Sequence, residues 1–230
     1  LIMSLFLIHQ ESSYAVLLAD SLGQKKHALG GSVYPVTAPK LVRVADGIYA
    51  AHAGTLQPAI DMLKEFESTL SSASDWNSLV SPLEAIGQRI HAAYKDRFKT
   101  DSLDVRVAIA LTGTWRHPDD ISRQASSSLL IWEAARNFSP HHATGKLHFA
   151  GSIPMTELAT SFMQLPLVAG MLKQGPLAAA HALVATHAML SKLSSSISPD
   201  ASVVVIGDDD EHTVLHGTLL ELSQAALIKS

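Results

Sequence analysis

The sequence predicts a layered α+β sandwich. Three observations carry it: strand-length apolar runs recur in pairs about tight polar turns, helical stripes come in consecutive pairs, and a 230-residue chain that is 47% hydrophobic can fill one large core. Strands joined by tight turns run antiparallel, and helix pairs inserted as blocks argue against a doubly wound parallel sheet. No internal repeat is visible, and one domain over residues 1–230 is expected.

The stretch SLFLIHQESSYAVLLADS, residues 4 to 21, reads as a hairpin whose second apolar run stops on Asp20-Ser21. A Gly-rich connection, Leu22 to Pro39, leads to a second hairpin, Leu41 to Ala45 and Ile48 to Ala53, turned by Asp46-Gly47. Gly54-Thr55 then opens a helix with Thr55 as N-cap and Ala59, Met62, Leu63 and Phe66 on one face. The next helix is expected to start at Ser81-Pro82-Leu83-Glu84, a capping box with Pro at N1, followed by the stripe Leu83, Ile86, Ile90 and Tyr94. Strands return at Val105 to Leu111, Leu129 to Ala134 and Leu147 to Ala150, with turns at Thr112-Gly113, Ser139-Pro140 and Thr144-Gly145. Two more helices follow: Met155 to Gln164, ending before Pro166, and an Ala-rich one from Pro176 to Leu193. The Ser-rich stretch Ser191 to Ser198 reads as a loop, Val203 to Ile206 and Thr213 to His216 as a last hairpin, and Leu219 to Ile228 as a terminal helix.

Composition removes several function classes. Net charge is −4, and no basic run exceeds Lys25-Lys26, so the electrostatic footprint of a nucleic-acid binder is missing. With no cysteine, disulfides, thiolate metal sites and Cys nucleophiles are excluded. No run reaches the ~20 apolar residues of a membrane span. The apolar start, Leu1 to Ile8, lacks a basic flank and a small-residue cleavage site, so a cytoplasmic protein without a signal peptide is expected. Neither a metal nor another cofactor is expected. His117-Pro118-Asp119-Asp120, His141-His142 and Asp208-Asp209-Asp210-Glu211-His212 lack zinc-peptidase spacing and read as turns, and Gly30-Gly31 forms no phosphate loop.

The chemistry is sought at Asp20. An ionised carboxylate at the end of a buried strand is costly unless a cation or several N–H donors meet it. Lys40, at the start of the Leu41 run, is the candidate partner. Asp20 stands sixteen residues after Ser4, in the context Ala19-Asp20-Ser21, and Gly54 stands fourteen after Lys40, in the context Ala53-Gly54 leading into a helix. A further turn, Phe149-Ala150-Gly151-Ser152, precedes the third helix.

In these spacings, and in the order of its elements, the chain resembles the proteasome β-subunit-like family of N-terminal-nucleophile hydrolases, as a bacterial-type proteasome homologue. The resemblance implies a four-layer αββα sandwich of two antiparallel sheets flanked by helix pairs. It implies a catalytic set of Ser4 as nucleophile, Asp20 and Lys40 for the proton, Gly54 as oxyanion donor and Ser152 as support. It further implies homo-oligomeric rings and a peptide or unfolded-protein substrate, and it leaves any unfoldase partner open. Ser4 stands where the family uses Thr, and the family's later Asp-x-x-Ser is matched only loosely by Asp200-Ala201-Ser202. A free amine on Ser4 requires removal of Met3 after initiation there, or autolysis after Met3. That amine, with an ordinary pKa of about 7.7 to 8.0, is suited to activate a hydroxyl at neutral pH.

Each residue also has a plainer reading: Asp20-Ser21 and Ser152 as turn residues, Lys40 as a solvated strand-edge lysine, Gly54 as a turn glycine. Two other functions accordingly stand beside the peptidase. One is a noncatalytic ring-forming structural or binding protein on the same scaffold; the other is an amidase or acyl transferase of the same class acting on a small molecule.

Overall fold

The computed structural model describes residues 5–11, 14–26, 33–37, 39–45, 48–70, 76–98, 107–114, 127–139, 141–142, 147–150, 153–195, 197–207 and 212–218. In chain order the strands are β1 (Phe6–Gln10), β2 (Tyr14–Asp20), β3 (Leu22–Lys26), β4 (Val33–Thr37), β5 (Leu41–Ala45) and β6 (Ile48–Gly54), followed by helices α1 (Leu56–Leu70) and α2 (Trp76–Phe98). Then come β7 (Val107–Thr114), β8 (Ser127–Glu133), β9 (His141–His142) and β10 (Leu147–Ala150), the helices α3 (Ile153–Met163), α4 (Pro166–Met171) and α5 (Pro176–Leu193), and β11 (Asp200–Gly207) with β12 (His212–Thr218).

Two five-stranded sheets result, with orders β10-β1-β2-β11-β12 and β5-β6-β7-β8-β9, and every pairing within them is antiparallel. Strand periodicity sorts the side chains into layers. In the first sheet Leu5, Leu7, Val16, Leu18, Val203 and Val205 pack against α3, α4 and α5, while the alternate residues Phe6, Ile8, Leu17, Val204 and Ile206 turn inward. In the second, Ile48, Ala50, Ile109, Leu111 and Trp132 meet Met62, Phe66, Leu83 and Ile90 of α1 and α2, while Leu41, Tyr49, Ala51, Ala110 and Ile131 turn inward. The inward sets meet as one apolar layer between the sheets. The molecule is therefore a four-layer αββα sandwich, as the sequence predicts.

Two expected turns and three elements differ from the sequence reading: Thr112-Gly113 continues β7, paired with Leu129 and Ser128, and His141-His142 forms β9, paired with β8. The Gly-rich connection contains the ribbon β3-β4, paired from Leu22↔Thr37 to Lys26↔Val33 and separate from both sheets. Gly23 and Pro35 hide it, because both residues are depleted in strands and Pro is tolerated only at an edge or in an isolated ribbon. Helix α2 begins at Trp76, not at Ser81, so Pro82 lies within it. The capping box is not used: Glu84 Oε1 accepts from Gln88 Nε2 and Ser139 Oγ, both at 3.0 Å. After α3 the chain resumes helix at Pro166, in the first-turn position where a missing N–H costs nothing. The expected terminal helix, 219–228, lies outside the described residues. No described helix is long and apolar enough to cross a membrane.

Candidate active site

Strand β2 is buried along its whole length and ends on Asp20, which is 0% exposed. Lys40, the residue before β5, is 2% exposed. Its Nζ donates to Asp20 Oδ1 at 2.5 Å, so the pair ties one sheet to the other. The same oxygen accepts the Leu5 N–H at 3.1 Å, and Oδ2 accepts the Ser198 N–H at 3.4 Å. A buried carboxylate is tolerated only when so satisfied. Burial pushes the Asp20 carboxyl above its ordinary value, against the Lys40 charge and the hydrogen bonds from Lys40, Leu5 and Ser198. Burial pushes Lys40 down, against Asp20. Both shifts favour the neutral forms.

Strand β6 brings Gly54 to the same end of the second sheet. The His52 N–H donates to the Lys40 carbonyl at 3.0 Å, and Gly54 follows two residues later. Its φ of +99° lies where a Cβ is disfavoured, and this conformation turns the strand into α1. Asp20, Lys40 and Gly54 thus gather around one end of the two sheets. Ser4 and Ser152 lie outside the described residues. The described residues nearest them in sequence are Leu5, next to Ser4, whose amide binds Asp20; Ile153, next to Ser152, which opens α3; and Ala150, two residues before Ser152, which pairs with Phe6, itself opposite Ala19.

Ser198 was not found from the sequence. Its Oγ accepts from Ser21 Oγ at 3.1 Å and from the Asp200 N–H at 3.0 Å, which fixes the loop that presents its amide to Asp20. Only the Ser-rich composition marked it, and that reads as an ordinary loop. Asp200 and Ser202 both fall in β11; Asp200 is exposed, and the backbone of Ser202 pairs with Ala19.

Two buried histidines complete the surroundings. His52 is 1% exposed and is pushed down to about 4, first by burial and then by the Lys40 charge; the Pro39 carbonyl, outside hydrogen-bond geometry, opposes this less strongly. His187 on α5, 0% exposed, is pushed down to about 4 by the same two causes. Among the described residues no group of three or more His, Asp or Glu side chains is arranged to hold a metal ion.

No family model matches the chain. No curated protein matches it either. Solved structures do. Anbu (ancestral beta-subunit) from Yersinia bercovieri is similar with a TM-score of 0.72 at 10% identity, over 97% of this chain and 92% of that one. Anbu from Hyphomicrobium sp. strain MC1 is similar with a TM-score of 0.65 at 12% identity, over 96% and 92%. The expected membership in the proteasome β-subunit-like family, as a bacterial-type homologue, is corrected by these findings. No family model supports it, the two structures named above are Anbu, and identity this low carries the fold alone. The matched motifs are two to four residues each, too short to carry a family by themselves. What the chain shares with Anbu, over nearly its whole length, is the αββα fold.

Proposed function

We propose that the protein hydrolyses amide bonds of peptide substrates through an acyl-enzyme, with Ser4 as an N-terminal nucleophile. The observation that carries this reading is the Asp20 carboxylate, which holds the Lys40 ammonium and the amide of Leu5, the residue after Ser4, on one oxygen. In the proposed reaction the Ser4 hydroxyl attacks the substrate carbonyl carbon and its proton passes to the free α-amine of Ser4. Lys40 shares that load and Asp20 orients Lys40. Charge develops on the carbonyl oxygen, where the Gly54 N–H donates; one such donor is commonly worth ~100 to 1,000-fold in rate. The C–N bond then breaks, the leaving amine takes the proton, and water hydrolyses the ester to return Ser4. Ser152 supports the nucleophile. Assembly into homo-oligomeric rings belongs to the same proposal.

The test is N-terminal sequencing and intact mass of untagged protein, followed by labelling with a β-lactone or boronate. The reading expects a chain beginning at Ser4 and one adduct per chain. A chain that keeps Met3 and takes no adduct overturns it. That outcome would favour a noncatalytic scaffold, for which one observation speaks directly: Asp20 is satisfied by three donors and joins the two sheets without any nucleophile.

A further inference from the structure

The carboxylate that holds Lys40 is itself held by a part of the chain that the proposed reaction does not use. Asp20 Oδ1 accepts from Lys40 and from the Leu5 N–H, and among the described residues Oδ2 accepts from the Ser198 N–H alone, at 3.4 Å. Burial works against the charged form of this carboxyl. The Ser198 amide is placed by its neighbours. Helix α5 ends at Leu193, and the Ser194 N–H stays bonded to the Leu190 carbonyl at 3.0 Å. Ile197 is 2% exposed in the core between the first sheet and its helices, and its N–H meets the Ser194 carbonyl at 3.2 Å. Pro199 follows Ser198 and disfavours helical backbone there, which narrows the directions its N–H can take.

Two hydroxyls close the arrangement. Ser198 Oγ accepts the Asp200 N–H at 3.0 Å, and Ser21, the residue after Asp20, shares its one hydroxyl proton between Ser198 Oγ at 3.1 Å and the Asp200 carbonyl at 3.3 Å. The Ser21 N–H donates to that carbonyl as well, at 3.2 Å. We propose that Ser21 and Ser198 are positioning residues for Asp20: joined through their hydroxyls, they hold the Ser198 amide on Oδ2, keep the carboxylate charged and leave Oδ1 to Lys40 and Leu5. A hydrogen bond to the charged form favours that form, so a loosened amide would let burial neutralise Asp20 and strip Lys40 of its counter-charge. Among the titratable groups on the elements packed here, Lys40 supplies the facing charge, Asp200 is exposed, and His52 and His187 are neutral at pH 7 with values of about 4.

This inference rests on reading Asp20 as the group that orients Lys40, but its test needs no substrate. In the full-length protein labelled with 13C at Asp and 15N at Ser, the Asp20 carboxyl signal is titrated in the parent, Ser21→Ala, Ser198→Ala and Ser198→Thr. Each Ala variant should raise the Asp20 midpoint by about one pH unit, a tenfold change in its ionisation constant. Ser198→Thr, which keeps a hydroxyl, should stay near the parent. Ala variants that lose stability in urea while their Asp20 midpoint equals the parent's would overturn the proposal, since ordinary structural bonds move stability alone. Should the variants misfold, the parent decides: the Ser198 amide shift should follow the Asp20 titration with the same midpoint. An amide shift indifferent to that titration contradicts it. Because no turnover is measured, failure here and failure of the acyl-enzyme reading are separate results.

Discussion

At the residue scale, buried groups whose ionisation changes on folding set the response to acid. His52 and His187 bind protons in the unfolded chain below about pH 6.5 and resist them in the folded one until about 4. The unfolded state holds more protons in that window, so stability falls as pH drops through it, by on the order of 3 kcal/mol for each ring. Urea unfolding at pH 7 and at pH 4.5 should register this, and His187→Leu should remove a large part of the difference. Breaking the buried pair should cost more than editing it: Asp20→Asn leaves an unpaired ammonium and should lose about 3–5 kcal/mol, while Asp20→Asn with Lys40→Met should recover most of the loss. The pair itself was legible in the sequence, because an apolar strand that stops on a carboxylate demands a cation. Ser198, His52 and His187 were not. Ser198 acts through its amide, which every residue but proline has, and a histidine in an apolar stretch looks the same whether its ring is satisfied or orphaned.

At the element scale, the α1-α2 pair shows which contacts matter. Tyr94 Oη donates to Asp61 Oδ2 at 2.6 Å across the two helices, half-buried, and its pKa is pushed up to about 12 by burial and by Asp61. Tyr94→Phe should cost about 1–2 kcal/mol in denaturant unfolding. The Arg89–Glu65 ion pair lies exposed, and Arg89→Ala should change stability by less than about 1 kcal/mol. Gly87 is held to its size. A Cβ there would fall 2.7 Å from the Phe138 ring, and Phe138 is fixed by burial and by a φ of 58°. Gly87→Ala should therefore destabilise by about 1–2 kcal/mol, overpacking outweighing the ~1 kcal/mol gain in helix propensity. Hairpins and the stripe of α1 were legible because their periods are strong, and α5 because Pro176 opens an Ala-rich run. The ribbon β3-β4 and the first turn of α2 were not, since glycine and proline signal breaks wherever local pairing or tertiary contacts do not override them.

At the scale of the whole molecule, the alternation of each strand divides the chain into two outer helix-sheet cores and one middle layer, and that division was readable from the sequence as an order of blocks. A family was not readable from the motif spacings, because the fold fixes distances between strand ends while leaving most side chains free to change. The same geometry gives the candidate site its character. Asp20 ends a strand of one sheet and Lys40 leads into a strand of the other, so the buried ion pair is set by how the layers stack and not by any local motif. The central claim is that this cross-sheet pair activates the Ser4 hydroxyl. The most direct measurement is the rate at which a β-lactone acylates Ser4, followed by intact mass, in the parent and in Lys40→Met protein of equal folded content. The account predicts rapid single labelling on Ser4 and a fall of about 100-fold or more in Lys40→Met; equal rates in the two proteins, or a label on any other residue, would contradict it.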